Sequence, residues 1–277
     1  MAPLRDKPLK PAARRAMIAQ QGHQEFPQVM KIDFRWAVAA LALTAAGCGK
    51  QDATDNAAAA GNASAAATAP AGKDWTETVV KTPEGGFRMG NPDAPVKLVE
   101  YASLTCPHCA DFSEHGVPKL REDYVRTGKV SWEFRTFVLN PVDVSISLLA
   151  RCQGEGPFFK LVEQTYAEQK NWAPNISKIS NAEITRIQGL PESQQFGALA
   201  TAAGMDEFFR ARGLSKEKAD QCLADKAGLD QILAIRERGA NQDKITGTPS
   251  FLINGKLAEG VYDFNSLSAA LNTALGG

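Results

Sequence analysis

The chain has 277 residues with 44% hydrophobic content, enough for one sizeable core, and its 31 basic residues offset 31 acidic ones. That balance excludes a globally basic nucleic-acid coat and an acidic solvating tail as the main identity. Five cysteines are few, at Cys48, Cys106, Cys109, Cys152 and Cys222, and their odd number in an exported chain would need an account of the one left over.

Residues 1–29 are basic, carry prolines and lack apolar periodicity, so they offer no core face. From Met30, Lys31 and Arg35 supply a positive start to the apolar run Trp36–Ala46. That run suits a signal-peptide core and is too short for a bilayer, which needs about 20 apolar residues. Ala45, Ala46 and Gly47 then precede Cys48, a pattern that resembles a bacterial lipoprotein signal over residues 30–48, although Ala45 stands where leucine is usual. Cys48 would become the lipid-bearing first residue; ordinary cleavage nearby and an uncleaved apolar helix are the competing readings. A signal that begins at Met30 makes 1–29 a misassigned start or a long leader. Residues 49–73 are rich in Ala, Asn, Asp and Thr without a large apolar residue, and read as a flexible tether. The folded part is expected over 74–277.

Val96–Ala102 is mostly apolar after a turn-rich Gly90–Pro95 and predicts a buried strand. Cys106-Pro107-His108-Cys109 follows, with Phe112, Leu120 and Tyr124 marking a helix behind it. The pair therefore stands at a strand-to-helix junction. There, unpaired N–H groups and the helix dipole lower the pKa of the first thiol. Pro107 fits the first turn without losing a helical hydrogen bond, and His108 can add charge or a donor beside a thiolate. Zinc, a structural pair and a redox pair all use C-x-x-C. Zinc usually needs four ligands, whereas Cys152 and Cys222 lie far off without such spacing, so no metal is expected. The strand-helix context favours redox chemistry.

Val130–Val138 alternates, with Val130, Trp132, Phe134 and Val138 on one face, and predicts a strand parallel to the first. The interval of about 141–244 is helix-rich, with segments at 142–149, 158–166, 182–190, 195–203, 206–211 and 229–235. Gly247–Gly255 predicts a strand and turn, and 256–260 a second short strand. Asp263 then caps a helix carrying Phe264, Leu267, Leu271 and Leu275. The order β-α-β, helical interval, β-β-α predicts an α/β thioredoxin-like fold interrupted by a helical insertion.

Strand-Cys-Pro-His-Cys, together with Thr248-Pro249 before Phe-Leu-Ile-Asn-Gly, resembles the DsbA-like thiol–disulfide oxidoreductases across the domain beyond the tether. The resemblance implies a cis Pro249 against the redox pair, leaving Thr248 backbone groups to grip a substrate peptide; an edge-strand or turn proline is the plain alternative. It also suggests that Glu100, acidic on an apolar strand, relays a proton for Cys109, against a merely paired or strand-edge carboxylate. His115 reads as a surface residue. With Cys48 assigned to lipid and two cysteines to catalysis, Cys152 and Cys222 remain, and in an oxidising compartment they are expected to pair; free buried thiols are the alternative.

The resulting expectation is an exported, periplasmic, lipid-anchored enzyme, monomeric and without cofactor, that introduces disulfides into reduced cysteine-containing proteins. Resemblance alone implies reoxidation by a quinone-linked DsbB-like membrane partner. Gly49 lacks the aspartate that retains lipoproteins at an inner membrane, which leans toward the outer one. A reductase or isomerase on the same fold, and a non-catalytic peptide-binding module using the Pro249 groove, are the rival functions.

Overall fold

Six strands form one sheet in residues 74–277, the part of the chain that the computed structural model describes. They are β1 (Val79–Lys81), β2 (Phe87–Met89), β3 (Val96–Ala102), β4 (Val130–Thr136), β5 (Ser250–Ile253) and β6 (Lys256–Leu257), in the spatial order β1-β2-β4-β3-β5-β6. Strands β3 and β4 pair in parallel, as their sequence predicts; every other neighbouring pair is antiparallel. Cys48, the signal and the tether lie outside the described residues.

The period of two along β3 divides its side chains between two cores. Val96, Leu98 and Ala102 enter the larger core, while Val99 and Tyr101 face a smaller one with Phe137, Ile235, Ile245 and Leu252. The even-numbered register puts Glu100 on the larger-core face. In β4 the predicted apolar face holds Val130, Trp132 and Phe134, but the alternate face is buried as well. Its polar groups are satisfied internally. Arg135 makes a bidentate pair with Glu133 at 2.8 and 3.0 Å, and Tyr101 donates to Asp243 at 2.6 Å. A sheet covered on both faces explains why polar alternation there does not mean solvent.

After β3 come α1 (Pro107–His115) and α2 (Val117–Leu120), then a π-helical turn at Arg121–Val125. Pro118 has no N–H to continue the α1 ladder, so the helix breaks at Gly116. The helical interval begins with α3 (Pro141–Arg151), α4 (Glu155–Ala167), α5 (Gln169–Lys178) and α6 (Asn181–Gln188). It continues with α7 (Glu192–Ala202), α8 (Met205–Arg210), α9 (Lys216–Leu223) and α10 (Lys226–Asn241). Helix α3 is buried all round from Val142 to Ala150 and is the centre on which this interval packs. On α10, a Cβ at Gly239 would come within 2.9 Å of the Tyr101 ring and 3.0 Å of Phe137, so only glycine lets the helix lie this close to the sheet. Helix α11 (Phe264–Ala274) closes the domain, with Asp263 and Ser266 forming a capping box.

The hairpin β1–β2 and helices α5 and α9 are additions to the sequence expectation. Each strand of the hairpin is three residues long, below the length at which alternation is readable. Helix α5 buries only Gln169 and Trp172 and contains Pro174, while α9 buries only Ala219 and Leu223. Their apolar stripes are short, Trp172, Ala173 and Ile176 on α5 and Ala219 and Leu223 on α9, and most of the rest of each helix is polar.

Candidate active site

Cys106 is the N-cap of α1 and Pro107 its first residue. Both cysteines are unbonded thiols; Cys106 retains 7% exposure and Cys109 none. The Cys109 thiol, donating to the Cys106 sulfur, is the largest influence pulling Cys106 down to about 5. Burial opposes this; the Thr248 side chain and the backbone N–H groups of Cys109 and His108 assist it. Cys109 moves the other way, well above the usual thiol range, because it is buried, donates to Cys106 and lies near the charges of Cys106 and Glu100. One turn of helix thus separates an acidic sulfur from one that holds its proton.

The peptide bond between Thr248 and Pro249 is cis. The Cys106 thiol donates to the Thr248 carbonyl at 3.2 Å. The Thr248 hydroxyl is buried beside the Cys106 sulfur, where it can donate to a thiolate. A groove beside the pair is lined by His108, Lys244, Thr248, Pro249, Glu259 and Tyr262, the last 67% exposed. His108 is exposed on its rim, whereas His115 lies on the surface with Asp111 at 3.2 Å.

Glu100 is 2% exposed on an interior strand, so it is no strand-edge carboxylate. Trp132 Nε1 donates to its Oε2 at 2.9 Å. Burial raises Glu100 to about 8, with that hydrogen bond acting in the opposite direction. Cys152 and Cys222 form a disulfide that joins the end of α3 to α9, with Cα atoms 5.7 Å apart.

Sequence reasoning missed Asp143, Tyr166 and Gln169. Asp143 is fully buried and accepts from Ser103 Oγ at 2.6 Å, Leu104 N at 3.1 Å and Leu139 N at 3.0 Å. Burial raises it to about 6. A single acid in an apolar helix start, Pro-Val-Asp143-Val, was the available signal, of the kind that singled out Glu100. Tyr166 and Gln169 read as an ordinary aromatic and a polar residue between helices. Among the described residues no cluster of His, Cys, Asp or Glu could hold a metal ion, and no helix is long and apolar enough to cross a membrane.

A sheet with this order, a reactive cysteine at the cap of the following helix and a cis-proline loop facing it define a thioredoxin-like thiol redox protein with a helical insertion. The model of the family described as Thioredoxin matches residues 82–273, and the chain belongs to that family. A Rickettsia bellii relative named "Putative protein-disulfide oxidoreductase" is 30% identical over 196 residues, covering 70% of this chain. A Rickettsia felis relative of the same name is also 30% identical over 196 residues, covering 70% of this chain. The chain spans 66% and 62% of the lengths of these two relatives. Among solved structures, a protein-disulfide isomerase from Novosphingobium aromaticivorans is 31% identical with a TM-score of 0.65, covering 69% of this chain and 97% of that one. Wolbachia pipientis alpha-DsbA1 shares the fold at 23% identity and TM-score 0.56, with 71% of this chain and 94% of that one covered.

Proposed function

We propose that this chain is an exported thiol–disulfide oxidoreductase that introduces disulfides into reduced proteins through Cys106 and Cys109. The observation that carries this reading is the geometry of the pair: Cys106 caps the N-terminus of α1 with its sulfur 3.2 Å from the Thr248 carbonyl before the cis Pro249, and Cys109 is fully buried behind it, an arrangement that draws Cys106 down to about 5 and holds Cys109 well above the thiol range. In the oxidised pair a substrate thiolate attacks Cys106 Sγ, and the S–S bond breaks toward Cys109. Cys109 takes up a proton, with Glu100 as the nearby buried acid that supplies it. The second substrate thiolate then attacks the substrate sulfur of the mixed disulfide and expels Cys106 as a stabilised thiolate. The substrate loses two electrons and the pair gains them. A good leaving group at Cys106 makes that last step fast and the reduced pair stable, the combination an oxidant needs. Thr248 and Pro249 grip the substrate backbone, and the groove toward Tyr262 receives its side chains.

The test is equilibration with glutathione and oxidation of a dithiol peptide by the preoxidised protein. A potential in the range of strong oxidants, above about −180 mV, supports the reading; one near thioredoxin, about −270 mV, assigns a reductase instead. The isomerase name of the Novosphingobium structure keeps one rival specific: the same protein would then rescramble a mispaired disulfide substrate when supplied reduced.

Membrane attachment is the second part of the proposal. The signal over 30–48 supports a lipid on Cys48, with 49–73 as the tether; family resemblance alone supports a quinone-linked membrane oxidase as the electron acceptor. Palmitate labelling should depend on Cys48 and survive deletion of residues 2–29; labelling unchanged by Cys48→Ser removes the lipid anchor from this reading.

A further inference from the structure

The helical interval, and not the sheet, holds the polar groups of the segment that leads into Cys106. Asp143 accepts from Ser103 Oγ and Leu104 N, and Tyr166 donates to the Ser103 carbonyl at 3.0 Å. Asn140 Nδ2 donates to Thr105 Oγ1 at 3.0 Å, and Thr105 Oγ1 shares a hydrogen bond with Ser103 Oγ at 3.1 Å. Gln169 completes the set. Its single Nε2 donates to the Leu104 carbonyl at 3.0 Å and to the Cys106 carbonyl at 3.1 Å. Gln169 is 5% exposed at the start of α5, beside Trp172, where an amide without acceptors would be costly. Both of its amide hydrogens are spent on this one loop.

We propose that Gln169 is a positioning residue for the redox pair, fixing the Cys106 peptide so that the sulfur stays against the N-terminus of α1. The inference rests on the redox reading above and adds the means by which the insertion acts on the pair. The Cys106 carbonyl also accepts the first helical bond of α1, from Ala110 N at 3.2 Å, and belongs to the peptide that enters Pro107, so a rotation of that peptide disturbs the helix start and carries the sulfur away from the His108 and Cys109 N–H groups. The positive end of the Gln169 amide dipole also faces the residue that must hold negative charge. Geometry and electrostatics therefore act in the same direction, and losing Gln169 destabilises the thiolate on both counts.

The test uses Gln169→Met, close in volume and unchanged in charge. Thiolate absorbance of the reduced protein should show Cys106 titrating higher, with its acid dissociation constant about tenfold smaller, the scale of one or two lost hydrogen bonds. The glutathione equilibrium constant should shift by a similar factor toward the oxidised pair. Thr105→Ala, which cuts the Asn140 link, should shift both readouts the same way by less, and Thr105→Ser should restore them. A folded Gln169→Met with the wild-type titration overturns the inference. If that variant does not fold, the smaller Gln169→Ala decides: a wild-type titration overturns the inference, and a Cys106 titration raised as expected for Gln169→Met upholds it. A wild-type protein that fails to exchange with glutathione would instead sink the redox reading, while the Cys106 titration would still decide the role of Gln169.

Discussion

The sulfur of Cys106 lies 3.2 Å from the carbonyl oxygen of Thr248, 142 residues further along the chain. The sheet produces this approach. Strand β5 pairs antiparallel with β3, setting Tyr101 opposite Ser250 and Glu100 opposite Phe251. The loop before β5 and the loop after β3 therefore leave the sheet at the same end, one carrying Pro249 and the other Cys106. The redox pair and the cis-proline loop form one site because two strands are neighbours.

The two sulfurs should respond differently to substitution. Cys106→Ser removes the sulfur that substrate attacks and should abolish dithiol oxidation. Cys109→Ser leaves that sulfur but removes the neighbouring thiol that could displace a bound substrate, so mixed disulfides formed by Cys106 with substrate disulfides should accumulate on non-reducing gels. Full activity in Cys106→Ser would mean that the buried, proton-holding Cys109 is the nucleophile.

The C-x-x-C pair, the strand before it and the Thr248-Pro249 loop were legible because each is a local pattern. Glu100 was legible as a charge on an apolar strand. What holds the pair in place was not. Asp143, Tyr166 and Gln169 reach the Ser103–Cys106 segment from 39 to 65 residues away. Neither their spacing nor their residue types connects them to it. The polar face of β4 misleads for the same reason: Glu133 and Arg135 look solvent-facing until α10 and Tyr101 are seen to cover them.

His108 is the residue whose role the geometry narrows. Its backbone N–H is among the groups that lower Cys106, and that contribution survives any substitution except proline. Its ring is exposed, where charge is screened by salt. His108→Leu should therefore raise the Cys106 titration at low ionic strength, and the difference from wild type should shrink in about 1 M salt, where the Debye length is about 3 Å. A shift that ignores salt would mean the ring acts by a direct hydrogen bond to the thiolate.

The Cys152–Cys222 bond spans a sequence separation of 70 and ties α3, the buried centre of the insertion, to the marginally apolar α9. Closing a loop of that length stabilises by roughly 4 kcal/mol in the chain-entropy model. Cys152→Ser/Cys222→Ser should lower the denaturation midpoint accordingly, with α9 the first region to lose amide protection in hydrogen exchange. A midpoint within error of wild type would show that packing of Ala219 and Leu223 alone secures the helix.

Glu100 joins stability to chemistry, and the two effects have predictable signs. Burial lifts its carboxyl from 4.5 to about 8, so the folded chain binds this proton more tightly than the unfolded one. Its contribution favours folding in full below 4.5 and is lost progressively as pH rises toward about 8, where the charged form must be buried. Glu100→Gln keeps an oxygen for Trp132 Nε1 and carries no charge. The variant should therefore unfold at higher denaturant than wild type at neutral pH, by an amount on the order of a few kcal/mol. The gap should widen between pH 5 and 8 and level off above. The same substitution removes the acid proposed to supply a proton to Cys109, so reaction of the oxidised pair with a dithiol peptide should slow, and the part of its pH profile centred near 8 should flatten. A more stable Glu100→Gln protein with the wild-type rate and profile would assign the Cys109 proton to solvent and leave Glu100 with an electrostatic effect alone.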